Sequence, residues 1–143
     1  MLGVPVVFTE QTPAKLGPTH PDILAAAEEK SPVFAKDSFS AFGCESFSSW
    51  LAENDIRHLL VCGLETPICI YQTALDALGA DIAVTLLSDA IGARRSADHE
   101  SARRALEKKT DCHLLPSETI FYSILRSARH PQFKAFTALV KNR

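Results

Sequence analysis

The chain is predicted to adopt an α/β fold: a Rossmann-like, three-layer αβα sandwich with a mainly parallel sheet. Nearly continuous apolar runs predict buried strands at 4–8 (VPVVF), 58–63 (HLLVCG), 81–87 (DIAVTLL) and 112–115 (CHLL). Helical patterns separate these runs, and crossovers of a dozen residues or more require parallel pairing of the strands. Ligand sites of such sheets lie beyond the carboxyl ends of the strands.

Four segments combine helical spacing of apolar residues with a recognisable start or stop: 45–55, 67–79, 99–109 and 117–128. Four prolines interrupt the stretch from 10 to 36, which is predicted to be an irregular excursion around one short helix near 21–29. Long irregular loops at the edge of a sheet often cover a site. A last short amphipathic helix is expected after Pro131.

Composition favours one domain over residues 1–143, with 46% hydrophobic residues to supply its core. A formal net charge of -2 gives no long-range attraction to nucleic acid or anionic lipid, so a small molecule is the expected partner. No apolar run reaches the roughly 18 residues of a membrane span, and the first residues do not resemble a signal peptide. The expected location is the cytoplasm.

Cysteine and histidine spacing argues against disulfides and metal sites. The four cysteines form no CxxC pair, which indicates reduced thiols. The five histidines are dispersed, and no two have the spacing that places two ring nitrogens on one metal ion. We therefore expect neither a bound metal nor a cofactor.

The segment from 58 to 79 predicts a strand that ends at Gly63 and a helix that begins with Thr66 as N-cap and Pro67 at the first position. Cys69 then falls in the first helical turn. Backbone N–H groups there lack intrahelical acceptors, and the helix dipole adds partial positive charge. Both effects favour a thiolate, and the same amides can hold an oxyanion.

Cys69 could instead be a small apolar residue packed on the sheet, and residue chemistry alone leaves both interpretations open. Cys62 and Cys112 lie within predicted strands and are expected to be inert core thiols, whereas Cys44 lies in a loop and could be either. Lys36 is a candidate cationic partner for the thiolate, since a nearby cation stabilises the anion. The alternative for Lys36 is a solvated surface lysine.

Five segments carry a family resemblance: VPVVFTEQTPAKLGPT, KDSFSAFG, VCGLETPICIYQTALDAL, LLSDAIGARRSADHESA and SETIFYSIL. Together they resemble the isochorismatase-like cysteine hydrolases, a superfamily that includes nicotinamidases, carbamoylsarcosine hydrolases and isochorismatases. The resemblance spans the chain and implies an isochorismatase-type fold. It is closest to isochorismatase-domain hydrolases with the pattern TEQxPxxLGPT, and the metal-binding DxHxH pattern of nicotinamidases is absent.

The resemblance implies a catalytic triad of Asp, Lys and Cys, in which Lys36 and Cys69 match the second and third members. The aspartate has no match, because the family's N-terminal strand and the helix after it are missing from the pattern. That strand pairs near the middle of the family sheet, so its loss is expected to expose apolar edges. Glu10 is the nearest acid by position, and we expect it to cap the following turn rather than to act in catalysis.

The resemblance also implies a cis peptide bond between Leu64 and Glu65, which would turn the Glu65 and Cys69 amides toward one point as an oxyanion hole. Pro67 stands where family members often carry histidine or another polar residue, so the choice of substrate can differ. Phe39 and Phe42 beside the lysine are candidates for an apolar wall around a small planar substrate, with core packing as the alternative.

The implied function is hydrolysis of a carbon–nitrogen amide-type bond of a small molecule through a Cys69 thioester. Isochorismate cleavage is a weaker alternative within the same fold. The alternative from a different class is an inactive pseudoenzyme or oligomeric scaffold that lacks the aspartate. Homo-oligomers, dimeric or larger, are expected, with the apolar PQFKAFTALV segment as a contact surface. A nucleotide-binding domain is disfavoured because no GxGxxG or Walker pattern occurs.

Overall fold

Strands and helices alternate along the computed structural model, which describes residues 2–27 and 30–141. The strands are β1 (Phe8–Gln11), β2 (Val33–Lys36), β3 (His58–Leu64), β4 (Ala83–Gly92) and β5 (Cys112–Leu115). The helices are α1 (Pro13–Leu16), α2 (Pro21–Ala25), α3 (Glu45–Glu53), α4 (Tyr71–Gly79), α5 (Ser96–Leu106), α6 (Ser117–Leu125) and α7 (Phe133–Lys141). A 3-10 turn spans Ala41–Gly43 and a π-helical turn spans Thr66–Ile70. All strand pairs are parallel, which confirms the α/β prediction.

The first predicted strand, 4–8, is wrong by most of its length, since β1 begins only at Phe8. The reason is its partner: β1 pairs with β2 from Phe8↔Val33 to Gln11↔Lys36, and β2 was not predicted as a strand. The helix predicted near 21–29 ends at Ala25, and positions 28–29 lie outside the described residues.

The strands form two separate sheets, β1–β2 and β3–β4–β5, where one sheet was predicted. Among the described residues, β1 pairs only with β2, and β3 pairs only with β4. The edge of β3 beside the break is apolar and is exposed toward its carboxyl end. Leu64 in β3 is 72% exposed, whereas Leu86 in the neighbouring β4 is fully buried.

The main core lies between β4 and the helices α4 and α5, where Ala74, Ala77, Val84 and Leu106 are fully buried. A second cluster lies under α3 around Phe47, which packs edge to face against two other rings. These two clusters hold the helices against the sheets and leave the strand ends at one side of the molecule.

Two helix-to-strand junctions are built alike. Asp55 and Asp81 adopt left-handed backbone angles, with φ of 49° and 57°, directly after α3 and α4. The next residue then donates its N–H back into the helix, over 3.0 Å from Ile56 to Leu51 and 2.9 Å from Ile82 to Ala77. These are Schellman motifs, and they start β3 and β4 at the same level of the sheet.

β4 is irregular in its second half. Val61 of β3 pairs with Leu86 of β4, but the next pair is Gly63 with Ile91. The register thus advances by two residues along β3 and by five residues along β4. The extra residues form an arc. Within it, the Asp89 carboxylate accepts hydrogen bonds from the Ser117 N–H (2.8 Å) and hydroxyl (2.6 Å), which anchors the start of α6.

The C-terminal helix α7 packs on α6 through aromatic contacts. The Phe136 ring lies 5.1 Å from that of Tyr122 and 5.8 Å from that of Phe121, and Phe136 is buried. Leu139 on the same helix is 60% exposed. Across residues 2–27 and 30–141, no helix has the length and apolar character needed to cross a membrane.

We expect Leu106→Ala to lower the free energy of unfolding by about 2–5 kcal/mol, because it leaves a cavity in the main core. Leu16 also ends a helix but is 73% exposed, so Leu16→Ala is the matched control and should cost about 0.5 kcal/mol or less. Urea unfolding followed by circular dichroism measures both. Equal losses for the two variants would contradict the assigned core.

Hydrogen bonds from Arg103, and next from Arg104, lower the pKa of Glu100 from 4.5 to about 2. The folded-state pKa lies below the unfolded one, so the stabilisation is present above about pH 4.5 and disappears as the pH falls toward 2. We expect Glu100→Gln to be less stable than the wild type at pH 6, with a difference that vanishes near pH 2. Urea midpoints across this range measure it, with Glu53→Gln on the exposed side of α3 as the control. A difference independent of pH would contradict the assignment.

Candidate active site

Lys36 ends β2 and is 7% exposed, so it is not the solvated surface lysine of the alternative interpretation. Its ammonium donates three hydrogen bonds: to Gln11 Oε1 over 2.6 Å, to the Ser38 carbonyl over 2.9 Å and to the Phe39 carbonyl over 2.8 Å. All three acceptors are neutral. A buried ammonium is tolerable only when its protons are paired in this way.

Gln11 connects the lysine to the cysteine, and the sequence analysis did not identify it. Its side-chain nitrogen donates to the Asp37 carbonyl over 2.7 Å, which turns the amide oxygen toward Lys36. The same oxygen lies 4.0 Å from Cys69 Sγ. The structure thus brings Lys36 and Cys69 together on one acceptor. The pairing of Gln11 with Lys36 at the ends of β1 and β2 is the signal that could have found it, once β2 is recognised.

Cys69 lies in the π-helical turn that follows β3, in the predicted place after a strand. The prediction of Thr66 as N-cap is wrong: Glu65 occupies that position, and Ile70 donates its N–H to the Glu65 carbonyl over 3.2 Å. π-helical turns are rare and occur often at functional sites. The Leu64–Glu65 peptide bond is cis, as the resemblance implied.

Thr66 is fully buried and ties this turn to two other elements instead of capping it. Its hydroxyl donates to the Gly92 carbonyl at the end of β4 over 3.0 Å. His99 Nδ1 in α5 lies 2.9 Å from the same hydroxyl oxygen. Because a carbonyl can only accept, the hydroxyl hydrogen is used on Gly92, and His99 Nδ1 must carry the hydrogen that it donates to Thr66.

The Glu65 side chain contacts Arg94 in the loop after β4. Its carboxylate lies 2.6 Å from Arg94 Nε, and the Arg94 side chain is 79% exposed. The Glu65 side chain is 24% exposed, so the pair joins a largely buried carboxylate to a solvated arginine. Its effect is to place an arginine beside the turn that carries Cys69.

The residues predicted to line a substrate pocket lie in different environments. Phe39 is 60% exposed and contributes its carbonyl to Lys36. Phe42 packs into the core with its ring 5.6 Å from that of Phe47, in line with the core-packing alternative. Pro67 is half-buried in the π-helical turn.

The remaining thiols have different environments. A hydrogen bond from Ser46 is the main cause that lowers the pKa of Cys44, and Lys36 contributes more weakly. Burial raises the pKa of Cys112, in agreement with an inert core thiol. Cys62 was expected to be a core thiol as well, but it is exposed, and among the described residues β3 has a strand neighbour on one side only. The protein atoms around it still raise its pKa.

No carboxylate pairs with Lys36 in the part of the chain that the structure describes. Glu10 accepts the Thr19 N–H over 2.7 Å, which confirms its expected place in the following turn. Asp37 is exposed and accepts the Thr12 hydroxyl over 3.3 Å. Within residues 2–27 and 30–141, histidine, cysteine and acidic side chains form no group of three that could hold a metal ion.

Two surface grooves lie away from Cys69. One, of about 550 Å³, runs along α3 beside Phe34 and Trp50. The other, of about 300 Å³, lies between α6 and α7 beside Phe121 and Leu139. The thiol lines neither groove.

The family model described as "Isochorismatase domain" matches residues 1–115. Isochorismatase domain-containing protein 2 of Bos taurus is 37% identical over 141 residues, which are 99% of this chain and 67% of the relative. Isochorismatase family protein 1B of Dictyostelium discoideum is 32% identical, over 99% of this chain and 70% of the relative. The chain thus spans about two thirds of the length of these relatives.

Solved structures show the same architecture. A MAR1 ribonuclease from Caenorhabditis elegans superposes with a TM-score of 0.89 at 28% identity, covering 96% of this chain and 69% of that one. The nicotinamidase/pyrazinamidase PncA from Bacillus subtilis superposes with a TM-score of 0.64 at 20% identity, covering 79% and 75%. The second likeness shows the fold alone.

We expect Thr66→Val to lower the free energy of unfolding by about 1–3 kcal/mol, because valine has the shape of threonine but leaves His99 and the Gly92 carbonyl without a partner. Thr66→Ser keeps the hydroxyl and is the matched control. Urea unfolding compares the two variants with the wild type. A valine variant as stable as the serine variant would rule out the bracing role of this hydroxyl.

Proposed function

The chain belongs to the isochorismatase domain family, and from this premise we propose that it is a cysteine-dependent hydrolase acting on a carbon–nitrogen amide-type bond of a small molecule. The observation that carries the proposal is the arrangement of Cys69, Gln11 and Lys36, in which one amide oxygen meets both the thiol and the buried ammonium. Lys36 Nζ lies 2.6 Å from this oxygen and Cys69 Sγ lies 4.0 Å from it, which brings the cation near the sulfur.

In the proposed reaction, the Cys69 sulfur attacks the substrate carbonyl carbon, and the negative charge develops on the carbonyl oxygen. The Glu65 and Cys69 amides are proposed to hold that oxyanion. The carbon–nitrogen bond then breaks, the proton of the thiol passes through water to the leaving nitrogen, and a thioester remains on Cys69. Water attacks the thioester, which releases the carboxylic acid and restores the thiol. Lys36 stabilises the thiolate through its fixed positive charge.

The proposed substrate is a small molecule rather than a nucleic acid. The Caenorhabditis elegans neighbour is named as a ribonuclease, but the formal net charge of -2 on this chain gives no electrostatic attraction to RNA. The Bacillus subtilis neighbour is named as a nicotinamidase, which makes small planar amides the first compounds to try. Phe39, Phe42 and Pro67 are the proposed lining, and a cytoplasmic homo-oligomer remains part of the proposal.

A second candidate is a pseudoenzyme or oligomeric scaffold that binds a ligand without turnover. The observation that favours it concerns the thiol proton. Among the described residues at the site, Gln11 is an uncharged amide and Lys36 is already protonated, so neither can take that proton. The two candidates differ in whether Cys69 forms an acyl intermediate.

We expect ammonia release from a panel of small primary amides, including nicotinamide, to fall by at least about a thousandfold in Cys69→Ala. Cys44→Ala is the matched control, because Cys44 is the thiol with a lowered pKa outside the turn, and it should keep full activity. Mass spectrometry of the quenched reaction should find the acyl group on Cys69.

The lysine is tested by alkylation of Cys69 with iodoacetamide between pH 5 and 10. Lys36→Met should slow that reaction, because the cation beside the sulfur is lost. Activity that survives in Cys69→Ala would defeat the proposed mechanism. If Cys69 reacts with iodoacetamide no faster than a free cysteine does, and no amide is hydrolysed, the chain would be assigned to the scaffold alternative.

A further inference from the structure

The groove of about 550 Å³ along α3 has one wall on that helix and one at the start of β2. Pro32 and Phe34 line it on the side of β2. The wall on α3 is a stripe of residues that recur at helical spacing: Glu45, Ser46, Ser49, Trp50 and Glu53. This stripe is separate from the buried positions of the helix at Phe47 and Leu51, so it is open to a partner.

The polar groups on this wall have no partners among the described residues. Neither Glu45 nor Glu53 forms an ion pair there, and no basic side chain of the described chain lines the groove. No described residue accepts the indole N–H of the half-buried Trp50, although a buried indole usually finds an acceptor. The groove thus combines two free carboxylates and one free donor with the apolar surface of Phe34 and the indole ring.

The spacing of the two carboxylates requires two separate cations. Glu45 and Glu53 are the first and last residues of α3, so they stand about 12 Å apart along the helix axis at a rise of 1.5 Å per residue. A cation pairs with a carboxylate only within about 4 Å, so one cation cannot serve both. Trp50 lies between them along the helix and offers its ring to an apolar group. The groove therefore suits an occupant with two cations and an apolar group between them.

The outer edge of β2 borders the same groove and favours an extended occupant. The carbonyls of Pro32 and Lys36 accept hydrogen bonds from β1, so the carbonyl of Ala35, one step out of phase, faces the opposite edge. It accepts the Cys44 thiol over 3.6 Å, and Cys44 Sγ lies 3.2 Å from the hydroxyl of Ser46, which lines the groove. Among the described residues, β2 pairs only with β1, so this edge has room for another strand.

We propose that this groove binds an extended segment of a partner protein in which an apolar residue lies midway between two basic residues four positions apart. Side chains two and four positions apart share one face of an extended chain, and four residues span about 13 Å. This length matches the distance of about 12 Å between the carboxylates of Glu45 and Glu53. The two basic side chains pair with these carboxylates, the apolar side chain covers Trp50, and backbone groups bond to the edge of β2.

The test uses the 143-residue chain and the probe peptide Lys-Val-Leu-Val-Lys, acetylated at its start and amidated at its end. Trp50 is the only tryptophan of the sequence, so its fluorescence reports on this groove without a label. We expect a saturable change of that fluorescence as the peptide is added. The matched peptide Lys-Lys-Val-Leu-Val has the same composition but adjacent lysines, so it reaches one carboxylate at a time and should bind about fivefold more weakly.

Variants of the chain locate the peptide. Glu45→Gln and Glu53→Gln should each weaken binding by about fivefold, because each removes one ion pair. The two losses should multiply to about twenty-five-fold in the double variant, since the carboxylates lie far apart. Glu118→Gln is the matched control: it removes an exposed glutamate from the groove between α6 and α7 and should leave the affinity unchanged.

Four results would overturn the proposal: no saturable change up to about 1 mM peptide, equal affinity for the two peptides, an equal loss of affinity in Glu118→Gln, or spermine binding as tight as that of the probe peptide. The last result would show that positive charges alone occupy the groove. A concentration-dependent dimer in sedimentation velocity that Glu53→Gln weakens would also overturn it, since a second copy would then fill the groove. These readouts need no turnover, so they do not depend on the proposed hydrolase activity.

Discussion

The need to pair the buried ammonium of Lys36 sets the geometry on which the rest of the site depends. Burying that charge without acceptors would cost several kcal/mol, so three oxygens must converge on it. Two of them are carbonyls at Ser38 and Phe39, which makes the chain turn back immediately after β2. The third belongs to Gln11, which fixes the pairing of β1 with β2 and leaves one amide oxygen facing Cys69.

Much of the fold could be predicted because long apolar strands and helices have clear periodicity. The strand at 112–115 has the predicted bounds, and the strand at 58–63 is longer by one residue. The failures have physical reasons. β2 is four residues long and ends in a charged residue, so its apolar run of three residues is too short to indicate a strand. The break between the two sheets depends on which strands pair with one another, which no local pattern reveals.

The candidate site could be predicted in part. Cys69 follows a strand and Lys36 is buried beside it, so the family motifs indicated the correct neighbourhood. Gln11 could not be identified, because its role depends on a register between two strands of which only one was predicted. Thr66 was misassigned for a similar reason. Threonine before a proline resembles an N-cap, but its hydroxyl is hydrogen-bonded to the distant Gly92 carbonyl and to His99 in α5.

The arc in β4 makes the site sensitive to changes in chain length at a distance from the thiol. The Gly92 carbonyl can accept the hydrogen bond from the Thr66 hydroxyl only because the residues between Leu86 and Ile91 absorb the register shift between β3 and β4. An insertion or deletion there would move Gly92 along the strand and loosen the π-helical turn. Homologous sequences should therefore rarely carry insertions or deletions in this arc. The mostly exposed stretch from 13 to 20 can gain or lose residues without disturbing the π-helical turn.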